Sequence, residues 1–293
     1  MGEDVANDHF TSRDGRAPHT MSALRWRASA GTISRVARGA YVDGADPSPL
    51  ERALAIAAAA NGVNTGRVAA TLRRVDCPAV VGPSFLVLPT ASGRRPGAKR
   101  LAYPAERVIS VRGIPVVDGL QMLVDLAADL DDVQWEQALE SALFRRHVCL
   151  AELEAALPDL SRARTAGVAL MRRVLAVRPP GAAPTESLLE TLMVQLLRSI
   201  GVPTPTRQLE LFNEHGELEA RLDLCWPELG LFLELDGEGH RFQPVYDANR
   251  QTRVVALTGW LCGRFSWTEV HDNPIPTGRR VLRLLEQAAR RPL

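Results

Sequence analysis

Lysine is nearly missing from this chain: Lys99 is the single lysine among 35 basic residues, and the rest are arginine. No lysine therefore follows Lys99 to serve in C-terminal chemistry. Cysteine is also sparse. Cys77, Cys149, Cys225 and Cys262 lie far apart with no Cys-x-x-Cys pair, which argues against a zinc knuckle and against a disulfide framework. Buried, reduced thiols are the expectation. No apolar run approaches the length of a membrane span; the longest, Ala53 to Ala60, is short and alanine-rich. The first residues, Met-Gly-Glu-Asp, show no basic region leading into an apolar core. A cytoplasmic location without membrane association is expected.

What is present suits a globular protein. At 293 residues, with 46% hydrophobic and 24% charged side chains, the chain has room for two ordinary domains. A formal net charge of +1 conceals an uneven distribution. Residues 1–112 carry 16 basic against 9 acidic side chains, a net of +7. Residues 113–178 carry 7 against 10, and residues 179–293 carry 12 against 15, each a net of −3. A basic leading segment points to an acidic partner such as DNA. An acidic trailing segment near a polyanion makes sense where its carboxylates hold metal ions.

Along the chain, Thr20 to Ala30 reads as a short helix closed by Gly31. "TISRVARGAYV" then reads as two strands turning at Arg38-Gly39. A short helix followed by such a pair is the layout of a winged helix-turn-helix over residues 1–45, in which Arg25, Arg27, Arg35 and Arg38 would meet phosphates or base edges. The same arginines also fit a solvated face of a small domain. Residues 46–178 form a mixed middle region: a helix from Leu50 to Asn61, short strand-like stretches, then amphipathic helices such as "DGLQMLVDLAADL" and "VQWEQALESALFRR". "RPPGAAPT", Arg178 to Thr185, reads as a linker.

Beyond it, Thr185 is a candidate cap for a helix whose apolar stripe runs through Leu189, Met193, Leu196 and Ile200. Glu186 and Glu190 sit one turn apart near its start, where dipole compensation and a site role are both open. A strand, "TRQLELF", comes next. The informative passage is "ARLDLCWPELGLFLELDGEGH". Two alternating segments flank the turn signal Pro227 to Gly230. Closing that hairpin pairs Trp226 with Leu231, Asp223 with Glu234, and Arg221 with Asp236, so that these four polar side chains share one face. Facing carboxylates repel, at a cost of about 0.2–1 kcal/mol or more when desolvated. Mg²⁺ or Mn²⁺ would remove that cost and activate water for phosphoryl displacement. An arginine-balanced acidic face without a cation is the other reading. His240 follows four residues after Asp236, and Arg250 lies in the helix-like "YDANRQTRVVALTGW". The first is a candidate proton relay, the second a candidate phosphate contact.

These motifs carry a resemblance. "ES…E", "GVPTPTRQ", "RLDLCWPELGLFLELDGEGH", "D-x-x-R" and "GWLCGRF" resemble, over about residues 184–270, a bacterial domain family related to very-short-patch repair endonucleases within the PD-(D/E)XK nuclease superfamily. Upstream, "ISRVARGAYV" and "GIPVVDGLQMLVDLA" resemble the winged-helix region of abortive-infection type IV antitoxin-like proteins. The resemblance implies Asp223 as the central metal-binding aspartate, Glu234 as the second ligand and Glu186 as the acid of the preceding helix. Asp236 stands where the superfamily has lysine, so base and charge-stabilising work would fall to metal-bound water, His240 or Arg250. The zinc site of the repair enzymes has no counterpart among the four cysteines. The expected fold is α/β, α+β overall: an N-terminal winged helix with a helical region, then a restriction-endonuclease-like mixed sheet flanked by helices over 179–293. The expected activity is Mg²⁺-dependent DNA cleavage. The rival is a non-catalytic DNA-binding regulator of antitoxin type with a toxin partner or a homodimeric state, and a third reading is a protein-interaction module of a defence system.

Overall fold

A computed structural model of the chain describes residues 9–11, 21–91, 95–213, 215–236 and 252–291. The fold is α+β, with three sheets among the described residues. It divides into two compact units, Met1–Arg173 and Val174–Leu293.

The first unit opens with β1 (His9–Thr11), α1 (Met21–Ser29), β2 (Ile33–Ala37) and β3 (Ala40–Asp43). The three strands form an antiparallel sheet in the order β1-β3-β2. The β2–β3 hairpin turns where sequence places it, with Gly39 at φ 77°, a conformation glycine adopts without a Cβ clash. β1 comes from a segment with no sequence periodicity, which reads as loose in isolation; its pairing with β3 supplies the order. Helix α2 (Pro49–Ala59) starts on a capping box. Ser48 Oγ accepts the Glu51 amide at 3.3 Å, and Glu51 Oε2 accepts the Ser48 amide at 2.5 Å. Its buried alanines give a smooth face that lies against Ala40 and Val42. The 45/46 divide suggested by the sequence thus runs through one packed unit.

The rest of this unit holds β4 (Val63–Asn64), α3 (Gly66–Leu72), β5 (Phe85–Val87), β6 (Ala98–Arg100), β7 (Ile109–Val111) and β8 (Ile114–Val116), followed by α4 (Gly119–Leu126), α5 (Asp132–Phe144), α6 (Leu150–Arg162) and α7 (Val168–Val177). The five short strands form one sheet ordered β6-β5-β4-β8-β7. Asp118 and Asp131 cap α4 and α5, accepting the amides of Gln121 and Gln134. Trp135 is fully buried and donates its indole N–H to the Leu123 carbonyl at 2.9 Å, so its one polar atom is satisfied.

The second unit contains α8 (Leu188–Ser199), β9 (Thr206–Phe212), β10 (Leu218–Trp226), β11 (Leu231–Asp236), β12 (Leu261–Ser266) and α9 (Pro274–Ala289). A helical stretch occupies 252–258. The sheet runs β12-β11-β10-β9, antiparallel except for the parallel β11–β12 pair. One core joins Leu189, Met193 and Leu197 of α8 to Leu224, Trp226, Leu231, Leu233, Phe265 and Val281. A second joins Ala220, Leu222, Cys225 and Phe232 to Val254. Two clusters on one sheet make it a layer flanked by helices, as the sequence suggests, and burial of each large apolar side chain contributes about 1.5–3 kcal/mol.

Two expectations need correction. The cap of α8 is Ser187, whose Oγ accepts the Glu190 amide at 3.2 Å, not Thr185, which is buried just ahead of it. Glu186 consequently precedes the helix and Glu190 falls in its first turn. Leu222 and Leu224 also belong to different cores, so strict alternation along β10 slips at Asp223. Among the described residues no helix is long and apolar enough to cross a membrane.

Candidate functional site

The β10–β11 hairpin sets the frame. Pro227–Leu229 form a single 3-10 turn, Gly230 takes φ 57°, and the rungs Trp226↔Leu231, Cys225↔Phe232 and Leu224↔Leu233 follow. This is the register read from the sequence, and its paired rungs end at Leu224↔Leu233, one step short of Asp223 and Glu234. There the strands change their bonding. The Asp223 carboxylate, through Oδ2, accepts the Leu235 amide at 3.0 Å. A side chain takes a donor that ladder pairing would give to a carbonyl, which fixes the carboxylate between the strands and accounts for the slip in alternation.

On the helix side the acid beside Asp223 is Glu190. Its side chain lies in the α8 first turn, only 6% exposed. Glu190 Oε2 accepts the Glu186 amide at 3.0 Å and Gln208 Nε2 at 2.8 Å, while Oε1 accepts the Ser187 hydroxyl at 3.1 Å. Burial pushes its carboxyl up, and the negative charge of Asp223 pushes the same way. The three donors oppose both effects, and the carboxyl stands at about 7. Gln208 lies in β9 between two regular rungs, Leu222↔Leu209 and Leu224↔Arg207, which places it across from Asp223. Its backbone is left-handed, φ 53°, a conformation costing a non-glycine residue about 1–3 kcal/mol. Its Oε1 is buried with no hydrogen-bond partner among the described residues.

The other two predicted acids are held by arginines. Arg221 donates Nη2 to Glu186 Oε2 at 2.6 Å. Asp236 is gripped by Arg264 of β12, whose Nε donates to Oδ2 at 3.0 Å and whose Nη2 donates to Oδ1. Arg264 stands beside Glu234 in the parallel register. Cys262, two rungs away, has its thiol pushed up to about 12 by burial first and then by Glu234 and Asp236. Arg253 reaches Glu219 at 3.7 Å. His240 and Arg250 lie outside the described residues. Among the described residues no three His, Cys, Asp or Glu side chains cluster closely enough to share an ion.

The sequence left dipole compensation and a site role open for Glu186 and Glu190 together, named only Glu186 among the site residues, and did not single out Gln208 or Arg264. The signal for Glu190 was present as Ser187-x-x-Glu190, the spacing of a capping box.

In the first unit Arg25, Arg35 and Arg38 are exposed and make no ion pair among the described residues. Arg27 differs: its Nη2 donates to Asp43 at 3.0 Å, so part of its charge is answered within the protein. Trp26, between Arg25 and Arg27, is 68% exposed. An exposed indole beside arginines offers a stacking or sugar contact together with phosphate binding.

No protein-family profile matches the chain, and no curated protein matches it.

Proposed function

We propose that the second unit is a divalent-metal-dependent nuclease domain of PD-(D/E)XK type and that the helix and hairpin at the start of the first unit dock the protein on DNA. One observation supports the reading: Glu190, in the first turn of α8, is kept buried within reach of the negative charge of Asp223 on β10.

The donor set suits Mg²⁺ or Mn²⁺. Asp223 and Glu234 offer hard carboxylate oxygens, and Glu190 is a buried carboxyl whose charged form is disfavoured until positive charge arrives. Asp223 and Glu234 would hold the ion, and Glu190, close to Asp223, would be a further carboxylate toward it. When bound, a dication supplies water activation and stabilisation of developing phosphate charge. The remaining work belongs to the chain. The Leu235 amide orients Asp223, and the α8 cap and Gln208 orient Glu190. Arg264 keeps a guanidinium beside Glu234 on a sheet with no lysine, and Asp236 serves as its anchor rather than as a ligand. His240 and Arg250 stay in the proposal as a proton relay and a phosphate contact. Exposed Arg25, Arg35 and Arg38, with Arg27 in part, would bind phosphates.

A second reading, a non-catalytic DNA-binding regulator of antitoxin type that acts with a toxin partner or as a homodimer, is favoured by the Glu186–Arg221 and Asp236–Arg264 pairs, which answer two of the four predicted acids internally. Plasmid nicking with Mg²⁺, Mn²⁺ or chelator, for wild type and Asp223→Ala, separates the two. Metal-dependent nicking abolished by the substitution is the expected result. No cleavage, or cleavage indifferent to Asp223, overturns the enzyme reading.

A further inference from the structure

We infer that Gln208 is a positioning residue of the acidic site, holding the Glu190 carboxylate in place for cation binding; the inference rests on the metal-dependent reading above.

Three departures meet at this residue. Its backbone is left-handed in the middle of a strand whose adjacent rungs, Leu222↔Leu209 and Leu224↔Arg207, are regular. Glycine would take that conformation without strain, yet a glutamine occupies it. Next, the amide is only half satisfied: Nε2 donates to Glu190 Oε2 at 2.8 Å, whereas Oε1 is buried and has no partner among the described residues. Leaving a buried acceptor unmatched costs stability. Finally, Gln208 stands across from Asp223, whose own carboxylate is turned onto the Leu235 amide.

The chemistry explains why an amide belongs here. The other donors to Glu190, the Glu186 amide and the Ser187 hydroxyl, come from the start of its own helix. Gln208 supplies the bond from the sheet and so ties the helix acid to the strand that carries Asp223. An arginine would do this too, but its charge would compete with a cation, as the guanidiniums on Glu186 and Asp236 illustrate. A neutral donor orients the carboxylate and leaves its charge available.

The test uses the full-length protein, with Gln208→Gly and Gln208→Ala beside wild type. Mn²⁺ uptake is measured by calorimetry and thermal unfolding is followed in chelator. Glycine removes the side chain and the backbone strain, while alanine removes the side chain and keeps the strain. The expected result is a roughly 10–100-fold loss of Mn²⁺ affinity in both, the range for removing a hydrogen-bond partner of a metal-site ligand, with the glycine variant melting at or above wild type and the alanine variant below the glycine one. Wild-type affinity in the glycine variant overturns the inference and leaves the metal-dependent reading intact. Affinity that follows melting temperature across the three proteins also overturns it, since Gln208 would then be structural. A wild type that takes up no Mn²⁺ removes the metal-dependent reading itself, and this inference with it.

Discussion

Glu190→Gln should stabilise the protein at alkaline pH and destabilise it in acid. In the folded chain the carboxyl stands at about 7, against its ordinary 4.5. That gap, at 1.36 kcal/mol per unit, is about 3 kcal/mol. Because the folded value is raised, the unfolded chain releases its proton first as pH climbs. The stability that the neutral acid retains is complete below about pH 4.5, falls between 4.5 and 7, and is fully lost above 7. A glutamine carries no charge and escapes this loss. It swaps one acceptor oxygen for an NH₂, and losing one of the hydrogen bonds to Glu190 costs about 1 kcal/mol. The net is a gain of about 2 kcal/mol above pH 8, on the order of 8 °C in melting temperature for a unit of this size, and a loss of about 1 kcal/mol at pH 4. Thermal unfolding of the two proteins in chelator at pH 4, 6 and 8 measures it. A difference of the same sign at all three values refutes the argument, because the effect would then not come from a buried, titrating acid. With metal present, the stabilised variant should bind Mn²⁺ more weakly, the usual cost of optimising a site for stability.

Other outcomes follow from the same geometry. Arg35→Ala should lower the slope of log affinity against log salt for duplex DNA by about 1, and Arg27→Ala, whose guanidinium already binds Asp43, by less; fluorescence anisotropy over a salt series reads both. Cys225 and Cys262 have thiols pushed up to about 12, and Cys77 to about 11, chiefly by burial, while Cys149 is exposed. Brief alkylation at pH 8 should therefore give one adduct at Cys149 by mass spectrometry, and four after denaturation. Asp118→Ala removes the α4 cap and the partner of Arg107 Nε at 2.5 Å. A loss of about 1–2 kcal/mol in urea unfolding is expected, from the cap and the half-buried ion pair together.

Much of the second unit was legible because its information is local. The turn Pro227 to Gly230 and the alternation beside it fix the hairpin register from Trp226↔Leu231 to Leu224↔Leu233. The apolar stripe of α8 is equally plain. The choice between Glu186 and Glu190 was not, since it depends on whether Thr185 or Ser187 begins the helix, and both are good caps. Arg264 lay hidden for another reason: the partner of a parallel strand is set by the crossover, not by neighbouring residues. Gln208 gave no signal at all, because its left-handed backbone departs from the residue preference on which sequence reading relies. β1 was missed likewise: strand pairing, not its own composition, orders it.

The single parallel junction in the four-stranded sheet also has a kinetic consequence. β9, β10 and β11 are joined by short turns and can zip in microseconds, about 1–10 μs per hairpin. β12 is separated from β11 by the 24 residues 237–260 in the sequence, and such distant closure is slow. Assembly should therefore form the β9–β10–β11 part of the sheet early and deliver Arg264 last. In refolding experiments, Leu224→Ala should mainly slow folding, whereas Leu261→Ala should mainly speed unfolding.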